Sequence, residues 1–145
     1  MCMYDDGGGW KVYHEETRRA AKPHRCGECR RWIEKGESYE YVSGLDYDSD
    51  RWSTFHTCAQ CVQVKRWLLV ACGGYMFEMT RDDIWNHIGG DEWYLRSAPL
   101  IRLFRWQTTG WRSPAGGLRH VDDVRPVVDR AIDIYERTEA KAIAA

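Results

Sequence analysis

Apolar residues recur along this chain with two different periods. Between residues 32 and 57 the period is short: Trp32-Ile33 and Ser38-Tyr39-Glu40-Tyr41-Val42 flank Glu34-Lys35-Gly36-Glu37, and Trp52, Thr54 and His56 alternate with Arg51, Ser53 and Phe55. Alternation of this kind marks half-buried strands, and Gly36 suits a tight turn, so a β-hairpin is expected about residues 32 to 42. Gly44 to Asp50 reads as a polar loop, and Trp52 to His56 as a strand leading out of it. The period then lengthens. Cys61, Val64, Trp67, Leu68 and Ala71 recur at helical spacing with Lys65 and Arg66 opposite them; Thr57 offers a cap and Gly73-Gly74 a stop.

Further on, Tyr75 to Met79 is expected as a strand, and Thr80 to cap a short helix with Asp83 in a weak capping box. Ile84, Trp85 and Ile88 form that helix's apolar side, and Gly89-Gly90 ends it. Leu100 to Trp106 fits a strand or a short helix, and Thr108 to Gly117 a loop. A last helix, capped by Asp122 or Asp123 with Pro126 in its first turn, runs to about Lys141. It presents Val124, Val127, Val128, Ala131 and Tyr135 on one docking face. Trp10 to Ala21 fits a short strand or a helix, and the glycines before it suggest a loose arm. The expected organisation is α+β: an arm over 1-21, a metal module over 22-80 and an accessory helical or irregular part over 81-145.

The 145 residues suit one compact body, with eight Trp, eight Tyr and three Phe supplying much of its apolar content. Trp and Tyr combine large buried area with a polar tip, so they serve small cores and binding faces alike. The net charge of −1 gives no overall basic field to draw the chain onto nucleic acid. The charge is polarised, however: Arg96 to His120 holds five arginines and no acid, whereas the segment from Val121 onward is rich in Asp and Glu.

Six cysteines change the picture most. Cys26-Gly27-Glu28-Cys29 and Cys58-Ala59-Gln60-Cys61 are two Cys-x-x-Cys pairs separated by 28 residues. A tetrahedral zinc ion needs four soft ligands at about 2.3 Å, and a two-residue spacer lets a tight knuckle aim two sulfurs at one point. The spacer between the pairs exceeds the common range of about 15–20 residues, and the hairpin plus loop accounts for the excess. One structural zinc ion held by Cys26, Cys29, Cys58 and Cys61 is therefore expected. With four thiolates its coordination is closed, leaving no position for an activated water. A redox Cys-x-x-Cys lacks the βαβ context it requires. His24 and His56 flank the pairs and are expected beside the site rather than as ligands. Cys2 and Cys72 are left over, Cys72 as a small buried hydrophobe. Residues 1 to 21 lack a signal-peptide run and no stretch suggests a membrane span, so a reducing, cytoplasmic setting is expected.

The order of knuckle, hairpin and a helix carrying the second pair in its first turn resembles the treble-clef class of zinc fingers. The phrases His24-Arg25-Cys26-Gly27-Glu28-Cys29, Ile33-Glu34-Lys35-Gly36-Glu37 and His56-Thr57-Cys58-Ala59-Gln60-Cys61 resemble short zinc-binding proteins of bacteriophages and prophages. This resemblance covers about residues 24 to 80. It implies a small treble-clef-like zinc module (knuckle, β-hairpin, helix) with an accessory helical or irregular C-terminal part.

Other motifs carry less. Asp46-Tyr47-Asp48-Ser49-Asp50 opens like a calcium loop, but Arg51 stands where glycine is needed and Thr57 where the bidentate Glu belongs. Arg102, Arg105 and Trp106, with Trp111 and Arg112 soon after, mix cations and aromatics as single-strand binders do. The same segment also fits a structural role, as a buried Trp106 ringed by arginines or an arginine edge paired with the acidic last helix. Those five residues are the candidate partner-binding set. The function expected is that of a non-enzymatic, zinc-stabilised interaction protein, phage- or prophage-encoded and directed at a host complex, for example as an anti-CRISPR inhibitor of bacterial defence. The alternatives are a nucleic-acid-binding zinc-finger regulator, which would add Lys65 and Arg66 to the contact set, and a treble-clef nuclease of the His-Asn-His kind built on His56 or Asn86-His87.

Overall fold

The computed structural model describes residues 9–145. Three strands, β1 (Trp10–Arg19), β4 (Ser38–Asp46) and β5 (Trp52–Cys58), form an antiparallel sheet in the order β1-β4-β5. Two short strands, β2 (His24–Arg25) and β3 (Trp32–Ile33), pair with each other. Four helices follow: α1 (Ala59–Cys72), α2 (Thr80–Asn86), α3 (Ala98–Thr108) and α4 (Val121–Ala144), with a 3-10 turn at Trp93–Leu95. The fold class is thus α+β, and among the described residues no helix is long and apolar enough to cross a membrane.

The expected hairpin at 32 to 42 does not form. β3 pairs back onto β2, so the turn that Glu37 N closes onto Glu34 O (3.1 Å) joins strands of two different sheets. The hairpin lies one step later, between β4 and β5, and β1 pairs along the other side of β4. Gly44 is accordingly a strand residue, not the start of a loop. The Trp10 ring lies over it, so closely that a Cβ at Gly44 would sit 2.6 Å from Trp10 Cε3. The loop proper closes on Asp46, whose carboxylate accepts from Ser49 N at 2.8 Å and Asp48 N at 2.9 Å. These bonds hold the Asp46 carboxyl below its usual range and engage its Oδ1 within the loop itself. β1 is an outer strand whose Lys11, His14, Glu15 and Arg18 are exposed, a composition that blunts an open sheet edge.

α1 forms over the expected residues and stops at Gly73, which takes a left-handed φ of 75° and returns its N–H to Leu69 O. Its cap is Cys58 rather than Thr57. Val64, Trp67 and Leu68 are buried as the periodicity predicts, and so are Val124, Val127, Val128 and Ala131 on α4, against which α1 packs. Tyr135 completes the seam by donating its hydroxyl to Ala71 O at 3.3 Å. Lys65 departs from expectation. It is 2 % exposed, donates to Glu40 Oε1 (2.8 Å) and Thr57 Oγ1 (3.0 Å), and lies over the rings of Tyr75 and Phe77. The segment expected as a strand at Tyr75 to Met79 is instead an irregular link that supplies these rings.

Leu100 to Trp106 is helical, within α3, which Ser97 caps through Leu100 N. α4 is capped by the ring of His120, not by Asp122 or Asp123, which puts Pro126 beyond the first turn. Between α3 and α4 the chain reverses through Gly110 (φ 62°) and Trp111 (φ 64°). A left-handed Trp carries strain on the order of 1–3 kcal/mol, so something must hold it there.

Candidate metal centre

The knuckle between β2 and β3 is a closed turn: Cys26 N donates to Arg31 O at 2.9 Å, and Arg30 N to Cys26 O at 3.0 Å. Gly27 N ties it to β5 through His56 O at 2.9 Å. β5 ends at Cys58, which is both the last strand residue and the cap of α1, so Cys61 falls in the first helical turn. The four sulfurs of Cys26, Cys29, Cys58 and Cys61 consequently converge, all within 4.8 Å of one another. Sulfurs at the corners of a tetrahedron around an ion with bonds of about 2.3 Å stand about 3.8 Å apart. Cys29 Sγ and Cys58 Sγ are 3.8 Å apart. The cluster could hold a metal ion, and its donor chemistry, four thiolates in tetrahedral array, suits zinc or iron.

The surroundings favour negative charge on sulfur. Cys58 N points at Cys26 Sγ and Cys61 N at Cys58 Sγ, each at 3.4 Å. Trp111 Nε1 donates to Cys61 Sγ at 3.2 Å, and Gln107 Nε2 lies 3.5 Å from the same atom. The indole bond and full burial of its ring are what hold Trp111 in its left-handed backbone. Arg31, its side chain 5 % exposed, is gripped by both Glu37 oxygens and by Gln60 Oε1 while its guanidinium also faces Cys58. Burial pushes the Cys58 and Cys61 thiols well up, whereas the Cys26 sulfur, receiving hydrogen bonds from Cys29, Cys58 and Cys61, is drawn well down. In such a pocket Cys58 and Cys61 keep their protons until a cation arrives. A divalent cation lets all four ionise.

Glu28, between Cys26 and Cys29, reaches away from the sulfur cluster. Its buried carboxylate accepts from Glu78 N (2.8 Å), Thr80 N (3.1 Å) and Thr80 Oγ1 (2.8 Å), supplying the start of α2 with the cap that no residue of α2 provides. Burial raises the Glu28 carboxyl from its ordinary value. Gln107 Nε2 then joins Thr80 Oγ1 (3.2 Å) to Cys61 Sγ. Knuckle, α1, α2 and α3 are thereby linked by one buried polar path. Nothing local in the sequence marks Thr80, Gln107 or Trp111 for it; Glu28 alone is flagged by its place inside a Cys-x-x-Cys.

His24 and His56 stack on each other, ring centroids 4.4 Å apart, outside the sulfur cluster. Cys72 is half-buried and disulfide-bonded, not the buried free thiol expected. Cys2 lies outside the described residues.

The five candidate partner-binding residues do not form one patch. Trp111 is fully buried, and Arg112 lines a different hollow, beside Arg19 and Glu37. Arg102 and Arg105 are exposed on the outer side of α3, where with Ala98, Ile101 and the half-buried Trp106 they line an open hollow of about 480 Å³. The Arg119 guanidinium covers the Trp106 ring at 4.4 Å, an arginine that the spacing did not single out. The acids of α4 do not pair with this group: Asp129 pairs with Arg66, Asp122 with Arg125 and Asp133 with Arg137. Lys65 and Arg66 are likewise engaged, with Glu40 and Asp129.

Comparison with protein-family models, with curated proteins and with solved structures finds no match to this chain.

Proposed function

We propose that this chain is a non-enzymatic interaction protein, held in shape by one structural zinc ion on Cys26, Cys29, Cys58 and Cys61, that recognises an acidic macromolecular surface through the outer side of α3. The metal-binding part is treble-clef-like: a knuckle, a β4–β5 hairpin and a helix bearing the second cysteine pair in its first turn support that description. All four coordination positions are taken by sulfur, so the ion's role is to build structure.

The observation that carries the recognition proposal is the α3 hollow. Arg102 and Arg105 flank a half-buried Trp106 there, and among the described residues neither arginine is in an ion pair. Arginine and tryptophan dominate interface hot spots, and guanidinium groups match carboxylates in planar, two-bond geometry. The partner proposed is an acidic protein surface. Its wider form, a phage- or prophage-encoded inhibitor of a host defence complex, rests on the resemblance over residues 24 to 80. A second proposal, single-stranded nucleic acid, draws on the Arg119–Trp106 stack, which has the composition of a base-stacking platform.

Charge reversal tests both. The metal-loaded chain and its Arg102→Glu/Arg105→Glu variant are used as bait in bacterial lysate, and separately titrated with labelled single-stranded oligonucleotides. Capture of a defined acidic protein that the variant fails to retain supports the first. Oligonucleotide binding that falls steeply with salt and is lost in the variant supports the second. Equal behaviour of the two chains in both assays overturns the α3 face as the contact.

A further inference from the structure

A second group of metal-type donors lies away from the four cysteines, where α1 ends against α2. Asp83 on α2 and His87, the residue that caps that helix's C-terminus, are four residues apart, 1 % and 0 % exposed, and face Cys72 at the end of α1. The donor atoms of the three residues all lie within 4.8 Å of one another. His87 Nε2 is 3.3 Å from Cys72 Sγ and 3.8 Å from Asp83 Oδ1. Around a tetrahedral zinc ion with bonds of about 2.3 Å to sulfur, 2.0 Å to nitrogen and 2.1 Å to oxygen, those separations are about 3.5 and 3.4 Å.

The far side of the imidazole is also arranged as in a metal site. His87 Nδ1 lies 2.9 Å from Glu92 Oε2. A carboxylate that close favours the proton on Nδ1 electrostatically, although the pair is not aligned as a hydrogen bond, and this leaves the Nε2 lone pair on the side of Cys72 and Asp83. Burial holds the His87 pKa down to about 4, so the ring is neutral, as a ligand must be. The Trp67 ring packs edge-on against the imidazole, its centroid 4.9 Å away, and fixes its plane. None of these groups is idle: Cys72 is in a disulfide, and Asp83 and His87 have other contacts. A metal would have to replace those engagements.

We infer that, once the Cys72 disulfide is reduced, Cys72, Asp83 and His87 form a second site for a divalent ion of the zinc class, so that this corner of the fold is closed either by a disulfide or by a metal. One thiolate, one imidazole and one carboxylate are a borderline-soft set that suits zinc over magnesium or calcium. Three protein ligands leave one position of a four-coordinate ion to solvent. A cellular dithiol would supply two electrons and two protons, leaving as its own cyclic disulfide. Metal uptake then sends the Cys72 thiol proton to solvent.

The test uses the full chain, purified with its four-cysteine site loaded, and a phosphine as reductant. Each disulfide consumes one phosphine and one water and yields two thiols and the phosphine oxide. Zinc is added, excess is removed by gel filtration, and bound metal is counted by elemental analysis. The result expected is one additional ion per chain on reduction of the wild type, and no additional ion in Asp83→Asn or in Cys72→Ser. The ion in the four-cysteine site reports that each variant remains folded. The wild-type chain alone is decisive if a variant does not fold: no extra ion on reduction overturns the inference. Uptake of the extra ion by both folded variants overturns it equally, because the metal would then be bound elsewhere.

Discussion

Replacing Glu28 by Gln separates the stability of the metal module's surroundings from metal binding itself. The carboxylate accepts three bonds, from Glu78 N, Thr80 N and Thr80 Oγ1, and is 7 % exposed. Glutamine matches its shape but offers one oxygen. That oxygen can keep the bond to Glu78 N, and the Thr80 hydroxyl can turn to accept from the new amide, but Thr80 N then faces an N–H group. One buried backbone donor left unsatisfied costs about 1–3 kcal/mol, and loss of charge assistance on the remaining bonds adds about 1 kcal/mol. The expected destabilisation is about 2–4 kcal/mol, a large share of a typical domain stability of about 5–15 kcal/mol. In thermal unfolding this is a fall of roughly 6–15 °C. Urea unfolding of the metal-loaded chain measures it, with metal content unchanged because Glu28 is not a ligand. Thr80→Val removes the partner, so the double variant should lose less than the sum of the singles. A Glu28→Gln chain within about 0.5 kcal/mol of wild type, the range of ordinary surface changes, would refute the reasoning.

Trp111→Phe keeps an aromatic ring in the core but removes the N–H that meets Cys61 Sγ at 3.2 Å; metal affinity should fall about tenfold in chelator competition, and an unchanged affinity would show that the indole only fills space. Gly44→Ala brings a Cβ to within 2.6 Å of the Trp10 ring and should destabilise by about 1–3 kcal/mol, read by urea unfolding with Trp fluorescence as the probe; a neutral effect would mean the ring is not seated there. Because burial holds the Cys58 and Cys61 thiols protonated, loading the four-cysteine site should release at least two protons. Affinity should therefore rise with pH and be lost on acidification, and calorimetry in buffers of different ionisation enthalpy counts the protons. Release of none would contradict the assigned ionisation.

How far the fold could be read in advance depended on whether the determining contacts were local. The sulfur cluster was legible because two Cys-x-x-Cys knuckles are local motifs, and the docking faces of α1 and α4 because a helix repeats its buried side every three or four residues. Strand pairing was not legible. Trp32-Ile33 looks like one arm of a hairpin with Ser38 to Val42, yet His24–Arg25 is its partner, because the knuckle brings β2 and β3 together first. Gly44 reads as a loop residue from its neighbours, whereas Trp10, far off in sequence, needs the space above it. Trp111 departs furthest from what its neighbours in sequence suggest. In an arginine-rich segment it reads as a contact residue, and only the reversal after α3 turns it inward to the sulfurs. Lys65 misled in the same way, its burial depending on Glu40 and on two rings from a segment with no regular structure.

X-ray absorption at the zinc edge, on the full chain purified without reductant, bears most directly on the four-cysteine centre. The expected spectrum is that of one ion per chain with a single shell of four sulfurs at about 2.3 Å. A shell containing nitrogen or oxygen, or a folded chain carrying no stoichiometric metal, would contradict the account.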